Sequence, residues 1–193
     1  MRIEFEGITL RDYQISDVDD EVRWTNEQTE WFQAEAPGMT MKKVDADELR
    51  KDMQEIISSM DEKSIRWRFQ IEVDGKHIGS VSSFFLDANY ENKPWESIDP
   101  KKNAVDNQSV RELGIEICEM DCWGKGFGTK ALLAFMNYYR SLGECRFVMK
   151  TRSGNERMLG CARKLGFYEL KRSKEEEAEE GQDFDVVVLE KVF

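Results

Sequence analysis

The chain has 193 residues and carries 39 acidic against 28 basic side chains, for a formal net charge of −11 at neutral pH. This excess repels phosphate backbones and anionic lipid headgroups, so it argues against nucleic-acid binding and membrane binding and favours a cationic partner. The four cysteines form no Cys-x-x-Cys pair and no apolar run reaches the roughly 20 residues that span a bilayer, so we expect no metal site and a cytoplasmic protein.

The length fits one domain over 1–193. Alternating apolar and polar residues predict a first strand over 7–13, and the Ser-Asp pair at 16–17 resembles the N-cap of a helix. A second helix is predicted over 45–60, where apolar residues recur at helical spacing.

A β-hairpin is the clearest local signal in the first half of the chain. Apolar residues alternate over 67–73, the Asp-Gly dipeptide at 74–75 suits a tight turn, and 78–86 returns as a strand. The following segment, 87–110, has no periodicity and contains two prolines, so we predict a loop or an insertion there.

Strands alternate with helices in the second half, which predicts an α/β sheet of mixed direction. A charge run over 173–182 predicts a solvated acidic loop, because like charges repel one another. The predicted elements are a strand over 112–119, a helix over 128–142, a strand over 146–151, a helix over 155–165, a strand from 167 to 170 and a doubly buried strand over 184–192.

A glycine-rich segment lies between the strand at 112–119 and the helix that follows. Glycines lack the β-carbons that would hold a ligand away from the backbone, and successive N–H groups at a helix N-terminus attract phosphate. The spacing fits neither a Walker A loop nor a dinucleotide fingerprint, so a pyrophosphate seat of another kind or a tight packing turn are the two interpretations. The residues are Trp123, Gly124, Lys125, Gly126, Phe127, Gly128 and Thr129.

Two later motifs extend this pattern. Asn155 follows a predicted strand, and Lys-Leu-Gly-Phe closes the next helix at 164–167. With the glycine-rich segment they resemble the GNAT (GCN5-related N-acetyltransferase) superfamily over about 111–170. The Thr-Leu-Arg run at 9–11, followed by an acidic helix with Trp24, is similar to the branch of ribosomal-protein N-terminal acetyltransferases.

The resemblance implies a mostly antiparallel mixed sheet flanked by helices, an α/β (α+β) fold whose fourth and fifth strands splay around acetyl-CoA. Backbone groups of the protein would bind the pantetheine arm and the pyrophosphate of acetyl-CoA. The family has Gln or Arg before the glycine-rich segment, and the residue at that position here is Trp123. The implied cofactor-binding residues are Glu116, Ile117, Cys118, Gly124, Lys125, Gly126, Phe127, Gly128, Thr129 and Asn155.

Acetyl transfer needs an amine that has lost its proton, and a carboxylate can accept that proton. Glu112 and Glu116 share one face of the predicted strand, so both are candidate catalytic bases, although a surface charge is the alternative. Many members of the family carry a tyrosine on the helix over 155–165 that can protonate the departing sulfur, and the corresponding residue here is Ala162. We expect the adjacent Cys161 to face elsewhere, because a helix turns about 100° per residue. Possible substitutes for this acid are Tyr138, Tyr139 and Tyr168.

The acceptor pocket is expected to come from the first two helices and the 87–110 segment. Glu30 and Trp31 are the candidate substrate-binding residues, because a carboxylate and an aromatic face suit an ammonium group. The same stripe also fits the buried face of a core helix, and His77 is expected to be exposed and without a role. The other members of the stripe are Glu27, Phe32 and Glu35.

The sequence therefore predicts a monomeric or homodimeric, acetyl-CoA-dependent N-acetyltransferase. Its acceptor would be a primary amine of a small cationic molecule or a protein N-terminus. The alternative is a catalytically weak CoA-binding sensor or scaffold of the same fold.

Overall fold

The structure is a computed structural model that describes residues 1–87, 90, 93, 110–174 and 184–193. Most of the two predicted loops, 87–110 and 173–182, lies outside the described residues. None of the described helices is both long enough and apolar enough to cross a membrane.

The elements follow the predicted order, with additions at the N-terminus. They are β1 (Arg2–Phe5), β2 (Ile8–Arg11), α1 (Asp17–Asn26), α2 (Glu30–Glu35), α3 (Ala46–Ser59), β3 (Arg68–Val73), β4 (Lys76–Leu86), β5 (Val110–Ile117), α4 (Phe127–Ser141), β6 (Arg146–Arg152), α5 (Glu156–Lys164), β7 (Tyr168–Lys174) and β8 (Asp185–Val192). Sequence reasoning did not anticipate β1, whose four residues pair with β2 through a tight turn.

The described strands form one eight-stranded sheet in the order β1-β2-β3-β4-β5-β6-β8-β7. Every neighbouring pair is antiparallel except β5 and β6. The last strand, β8, lies between β6 and β7, and its consecutive residues Val187, Val188 and Leu189 are all buried, as predicted for a strand covered on both faces. The predicted fold class, mixed and mostly antiparallel, is confirmed.

The parallel strands β5 and β6 separate soon after they meet. Only Arg111 with Phe147 and Glu112 with Val148 are paired, although β5 continues to Ile117 and β6 continues to Arg152. The predicted splay is therefore present, and it opens toward the carboxyl ends of both strands.

A buried ion pair holds β5 at the point where the strands part. The Arg111 side chain is 1% exposed, and its guanidinium donates to both carboxylate oxygens of Glu144 at 2.5 Å. The same guanidinium lies over the rings of Tyr139 and Phe85, 3.8 and 4.2 Å from their centroids. Glu144 lies two residues before the start of β6, so this pair ties the start of β6 to β5.

Alternation along β5 gives the sheet two different faces. Leu113 belongs to the main core with α4 and α5, and Ile115 and Ile117 pack against that core. The residues between them face the opposite side, where Cys118 packs with Trp24 of α1 and Trp31 of α2. Helices α4 and α5 thus cover one face, while α1 and α2 lie over the other.

A buried polar network fixes α1 to the sheet. Arg11 donates to both oxygens of Asp17 at 2.7 and 2.8 Å, and the predicted cap residue Ser16 makes no side-chain capping bond. His77 is 6% exposed and lies between Gln70, at 2.9 Å, and the acidic residues of α1. The prediction that His77 is exposed and without a role was wrong, because α1 folds back over the hairpin turn that carries it.

The same cluster contains metal-ligating residue types. Asp17, Asp20 and His77 have ligand atoms within 4.8 Å of one another. However, Arg11 already binds both carboxylate oxygens of Asp17, so the cluster is an ion-pair network. Burial outweighs the nearby carboxylates and lowers the pKa of His77.

Helix α3 begins as predicted but is only half buried. Asp45 is its N-cap and accepts hydrogen bonds from two backbone N–H groups of the first turn. Its apolar stripe reaches only intermediate burial, and Ile56 is 50% exposed. Helix α3 therefore supports α1 and is not part of the main core.

Candidate active site

A cavity of about 540 Å³ fills the opening between β5 and β6. Its floor is formed by residues 112–115 and 117 of β5 and by 150–152 of β6, and its ends are formed by the glycine-rich segment and the start of α5. The splay creates this space because the two strands offer unpaired edges to each other beyond Glu112.

The glycine-rich segment forms one end of this cavity. Gly126 is the N-cap of α4 with a φ of +84°, a left-handed conformation that L-residues other than glycine adopt at a cost. The N–H groups of the first turn of any α-helix lack intrahelical partners, and no side chain among the described residues caps this one. Phe127, Gly128 and Thr129 of that turn line the cavity. An uncapped start of a 15-residue helix is a site that favours phosphate.

Arginine and lysine side chains line the same cavity. Arg157 of α5 lies over the Trp123 ring at 3.7 Å from its centroid, and the Trp123 indole donates to the Ile117 carbonyl at 2.8 Å. Lys164 lies two turns further along the same face of α5. Trp123, which stands at the family's Gln or Arg position, therefore holds a cation beside the glycine-rich segment.

The structure brings most of the predicted cofactor-binding residues to this cavity. Lys125 is exposed and is not among the lining residues, and the Cys118 N–H already donates to the Ile78 carbonyl at 2.9 Å. Asn155 lines the cavity, but its Oδ1 accepts from the Met158 N–H at 3.1 Å and so caps α5. Those that line it are Ile117, Gly124, Gly126, Phe127, Gly128, Thr129 and Asn155.

The two predicted catalytic glutamates lie in different environments. Glu112 lines the cavity, where burial raises its pKa against the opposing effect of Lys150, 3.4 Å away. Glu116 is exposed and does not line the cavity. Its carbonyl oxygen comes so close to Gly79 of β4 that a β-carbon at Gly79 would lie 2.0 Å away.

Glu35 is the carboxyl of the cavity whose pKa is raised most. It stands at the end of α2 and lines the cavity, and the described residues give it no ion-pair partner. Burial, together with the charge of Glu116, raises the pKa of Glu35 to about 7 against the opposing effect of the Arg157 charge. A carboxyl with that pKa can exchange a proton with an amine at neutral pH.

The two predicted acceptor residues on α2 do not line this cavity. Trp31 is 4% exposed, and its indole donates to the Trp24 carbonyl at 3.1 Å, so it lies in the core between α1 and β5. Glu30 is exposed at the start of α2. A helix that packs one aromatic face inward turns its last residue, Glu35, toward the cavity instead.

The orientation of α5 determines which of its side chains faces the cavity where the family's tyrosine would lie. Ala162 is fully buried in the main core, whereas Cys161 lines the cavity, 3.2 Å from the Thr129 hydroxyl. The expectation that Cys161 faces away was therefore wrong. Burial raises the pKa of the Cys161 thiol, so it is protonated at neutral pH.

The three candidate tyrosines lie elsewhere. Tyr139 is fully buried and donates to the Arg66 carbonyl at 2.6 Å, and the Tyr138 hydroxyl accepts from the Arg66 N–H at 2.9 Å. Tyr168 is exposed on β7 and donates to Glu190. None of the cavity's described lining residues is a tyrosine.

Glu119 anchors the acceptor-side helix to the end of β5. It accepts from the Trp24 indole and from Arg23, both at 2.8 Å, and it pairs with Lys76. Burial alone would raise its pKa, but the hydrogen bonds from Lys76, Trp24 and Arg23 hold the pKa of Glu119 at about 2. It stays ionised at neutral pH and fixes α1 beside the cavity.

A second cavity of about 280 Å³ adjoins the first. Glu35, Arg152 and Asn155 line both cavities, so they form the boundary between them. Ala34, Pro37, Gly154 and Phe184 complete the second cavity.

The cations Arg152, Arg157 and Lys164 line the cavity but were not among the predicted site residues. Arg157, Cys161 and Lys164 recur at the spacing of one helical face, which is the signal that would have placed them together on the cavity side of α5. Arg152 carries no comparable signal, because only the splay of β6 from β5 brings it to the cavity.

An open parallel strand pair beside an uncapped, glycine-rich helix start is a site that can hold an extended, phosphate-bearing ligand. A family model described as "Acetyltransferase (GNAT) domain" matches residues 8–168. The chain therefore belongs to the GNAT acetyltransferase family, as its motifs predicted.

One curated relative is similar in sequence over part of the chain, and solved structures are similar in fold. Human alpha/beta-tubulin-N-acetyltransferase 9 is 34% identical over 70 residues, a match that spans 36% of this chain and only 34% of that protein. The fold resembles a RimL ribosomal L7/L12 alpha-N-protein acetyltransferase in complex with coenzyme A, with a TM-score of 0.71, 20% identity and coverage of 100% and 98% of the two chains. It also resembles yncA from Salmonella typhimurium with its cofactor acetyl-CoA, with a TM-score of 0.63, 17% identity and coverage of 97% and 94%.

Proposed function

We propose that this protein transfers the acetyl group of acetyl-CoA to a primary amine, with the α-amino group of a protein N-terminus as the preferred acceptor. The observation that carries the proposal is the cavity between β5 and β6, which has a phosphate-type helix start at one end and the Glu35 carboxyl at its boundary. The similarity to acetyltransferases of ribosomal L7/L12 and of tubulin supports a protein acceptor.

The donor side of the site suits the phosphates of acetyl-CoA. The first-turn N–H groups of α4 and the cations Arg157 and Lys164 attract anionic groups in a chain whose overall charge is negative. When bound, acetyl-CoA supplies the activated thioester, and the free edges of β5 and β6 orient its arm.

The acceptor side favours an α-amine over a lysine-like amine. A lysine-type ammonium has a pKa of about 10.4, so its neutral form costs about 4–5 kcal/mol at pH 7, whereas an α-ammonium of pKa about 8 costs about 1 kcal/mol. Glu35, with a pKa of about 7, is matched to accept the proton of an α-ammonium. We assign the proton-accepting role to Glu35, with Glu112 and Glu116 as the remaining candidate bases.

The departing sulfur has no tyrosine beside it among the described residues of the cavity. We therefore assign protonation of the thiolate to solvent. The buried Ala162 at the expected acid position also favours the alternative function, a CoA-binding sensor or scaffold.

Two measurements separate these functions. Acetyl-CoA is expected to raise the melting temperature, while ATP and NAD leave it unchanged. A melting temperature that none of the three ligands changes would contradict the phosphate-site assignment. Thiol release is then followed with N-terminal peptides, a polyamine and an aminoglycoside as acceptors. Tight acetyl-CoA binding without turnover on any of them would support the sensor and contradict the enzyme.

A further inference from the structure

Arg152 is the cation at the boundary of the two cavities, and its surroundings differ from those of the other cations on β6. Arg146 pairs with Glu190 at 2.5 Å, and Lys150 lies 3.4 Å from Glu112. Arg152 is half buried, and within the described part of the chain no carboxylate lies within ion-pair distance of it. A half-buried guanidinium without an anion is unusual in a chain of net charge −11.

The Arg152 side chain is nonetheless held in place. Its guanidinium lies over the Phe184 ring, 4.0 Å from the centroid, and its Nη2 contacts the Met39 sulfur at 3.0 Å. Stacking on an aromatic face orients a guanidinium while leaving its N–H groups in the plane able to bind a partner. The contacts therefore position Arg152 without neutralising it.

Arg152 also lies on the acceptor side of the sheet. Glu112 of β5 is the register partner of Val148 of β6, so alternation places Arg152 on the same sheet face as Glu112. Helices α1 and α2 lie over this face, and Glu35 of α2 lines both cavities together with Arg152. The boundary thus offers to one molecule a proton-accepting carboxyl and a guanidinium that no described carboxylate pairs with.

We propose that Arg152 binds a carboxylate of the acceptor, so that the preferred acceptors carry a carboxylate close to the amine that is acetylated. This inference rests on the proposed function. The carboxylate comes either from an acidic side chain near a peptide N-terminus or from the α-carboxylate of a free amino acid. A polyamine lacks it and would bring further cations to Arg152.

The negative charge of the whole chain does not cancel this local attraction. Charges separated by more than about 8 Å are largely screened at physiological ionic strength. A planar guanidinium can bind a carboxylate through two parallel hydrogen bonds, which adds geometric selectivity to the charge. Arg152 therefore acts on the part of the acceptor that reaches the second cavity.

The experiment measures kcat/KM for three peptides that differ only at the second residue, which is Glu, Gln or Lys, together with free glutamate and a polyamine. Wild type is expected to prefer the Glu peptide over the Gln peptide by about tenfold. R152Q should reduce that ratio to about one, R152K should keep part of it, and R152E should invert it in favour of the Lys peptide. The control R140Q removes the same charge at the exposed end of α4, opposite the helix start that lines the cavity, and should keep the wild-type ratio.

The outcomes are decisive in each arm. Turnover of free glutamate but not of the peptides would identify the free amino acid as the source of the carboxylate. Equal kcat/KM for the three peptides with wild type, and no turnover of free glutamate, would overturn the inference, as would an R152Q variant that raises the KM for acetyl-CoA and keeps the peptide ratio. The wild-type comparison decides the question even if R152Q does not fold. No turnover on any acceptor and no stabilisation by acetyl-CoA would instead refute the proposed function.

Discussion

The raised pKa of Glu35 leads to two predictions, one for activity and one for stability, and the substitution E35Q tests both. Burial and the charge of Glu116 raise its pKa from an ordinary 4.5 to about 7. E35Q keeps the shape of the side chain and removes its ionisation. Both the pH dependence of activity and the pH dependence of stability should therefore change in directions that follow from that pKa.

The stability change has a definite sign. The unfolded chain ionises Glu35 near pH 4.5 and the folded chain near pH 7, so the folded state loses stability as the pH rises between these values. At about 1.36 kcal/mol per pH unit the full loss is about 3 kcal/mol, complete above pH 7. Glutamine does not ionise, so E35Q should gain about 2 kcal/mol relative to wild type between about pH 5.5 and 8.

Activity should move in the opposite direction. Wild-type kcat/KM for an α-amine should rise with pH as Glu35 ionises near pH 7. E35Q should lose about 100-fold in kcat/KM, because a positioned base contributes about 10²–10⁴. The limb that remains should follow the acceptor amine alone, near pH 8.

Urea unfolding at several pH values and thiol-release kinetics over the same range provide the assay. E55Q, on the exposed side of α3, is the matched control and should change neither profile. A loss of less than threefold in kcat/KM with an unshifted pH profile would refute Glu35 as the base. An unchanged stability difference across the range would refute its raised pKa.

The other predictions concern the donor site and the strand junction. G126A places a side-chain-bearing residue at a φ of +84°, so it should cost about 1–2 kcal/mol in urea unfolding and should abolish the rise in melting temperature with acetyl-CoA. R157A should raise the KM for acetyl-CoA about tenfold and weaken its dependence on salt, and W123A should do the same because the ring holds the guanidinium. R111M should destabilise the protein by about 3–5 kcal/mol by leaving Glu144 buried without its partner, and adding E144M should recover most of that loss in urea unfolding.

Each of these predictions has a contrary result. An acetyl-CoA effect on the melting temperature that survives G126A would remove the helix start from the donor site. An unchanged KM for acetyl-CoA in both R157A and W123A would show that the stacked cation does not contact the donor. A double variant at 111 and 144 as unstable as R111M alone would show that the ion pair is not what is lost.

The elements with local signals were predicted from the sequence. The hairpin at β3 and β4 has alternation and an Asp-Gly turn, and both turn residues have the positive φ that this dipeptide tolerates. Helix α4 and its stop at Gly143 follow from periodicity and from a glycine that adopts a φ of +95°. Strand β1 was missed, because four residues with half-exposed side chains carry little periodic signal.

The contiguous part of the site was predicted from the sequence, whereas the part that depends on how a helix packs was not. The glycine-rich segment is contiguous, so its motif and its place at the start of α4 were readable along the chain. The aromatic stripe on α2 suggested an acceptor surface, but Trp31 packs inward and Glu35 takes the place that was assigned to Glu30. Whether a given aromatic faces a cavity or the core depends on how the helix lies on the sheet.

The sequence by itself determined the family, the phosphate-type helix start and the excess of negative charge. Tertiary structure alone decided which charges meet, since it separated β5 from β6 and brought Glu35 and Arg152, 117 positions apart in the chain, to one boundary. The physical reason is that the burial that raises the pKa of Glu35 depends on packing between distant segments. The same packing leaves Arg152 without a carboxylate partner among the residues that the structure describes. Local sequence encodes backbone preference, whereas the electrostatics of the site arise only once the elements are assembled.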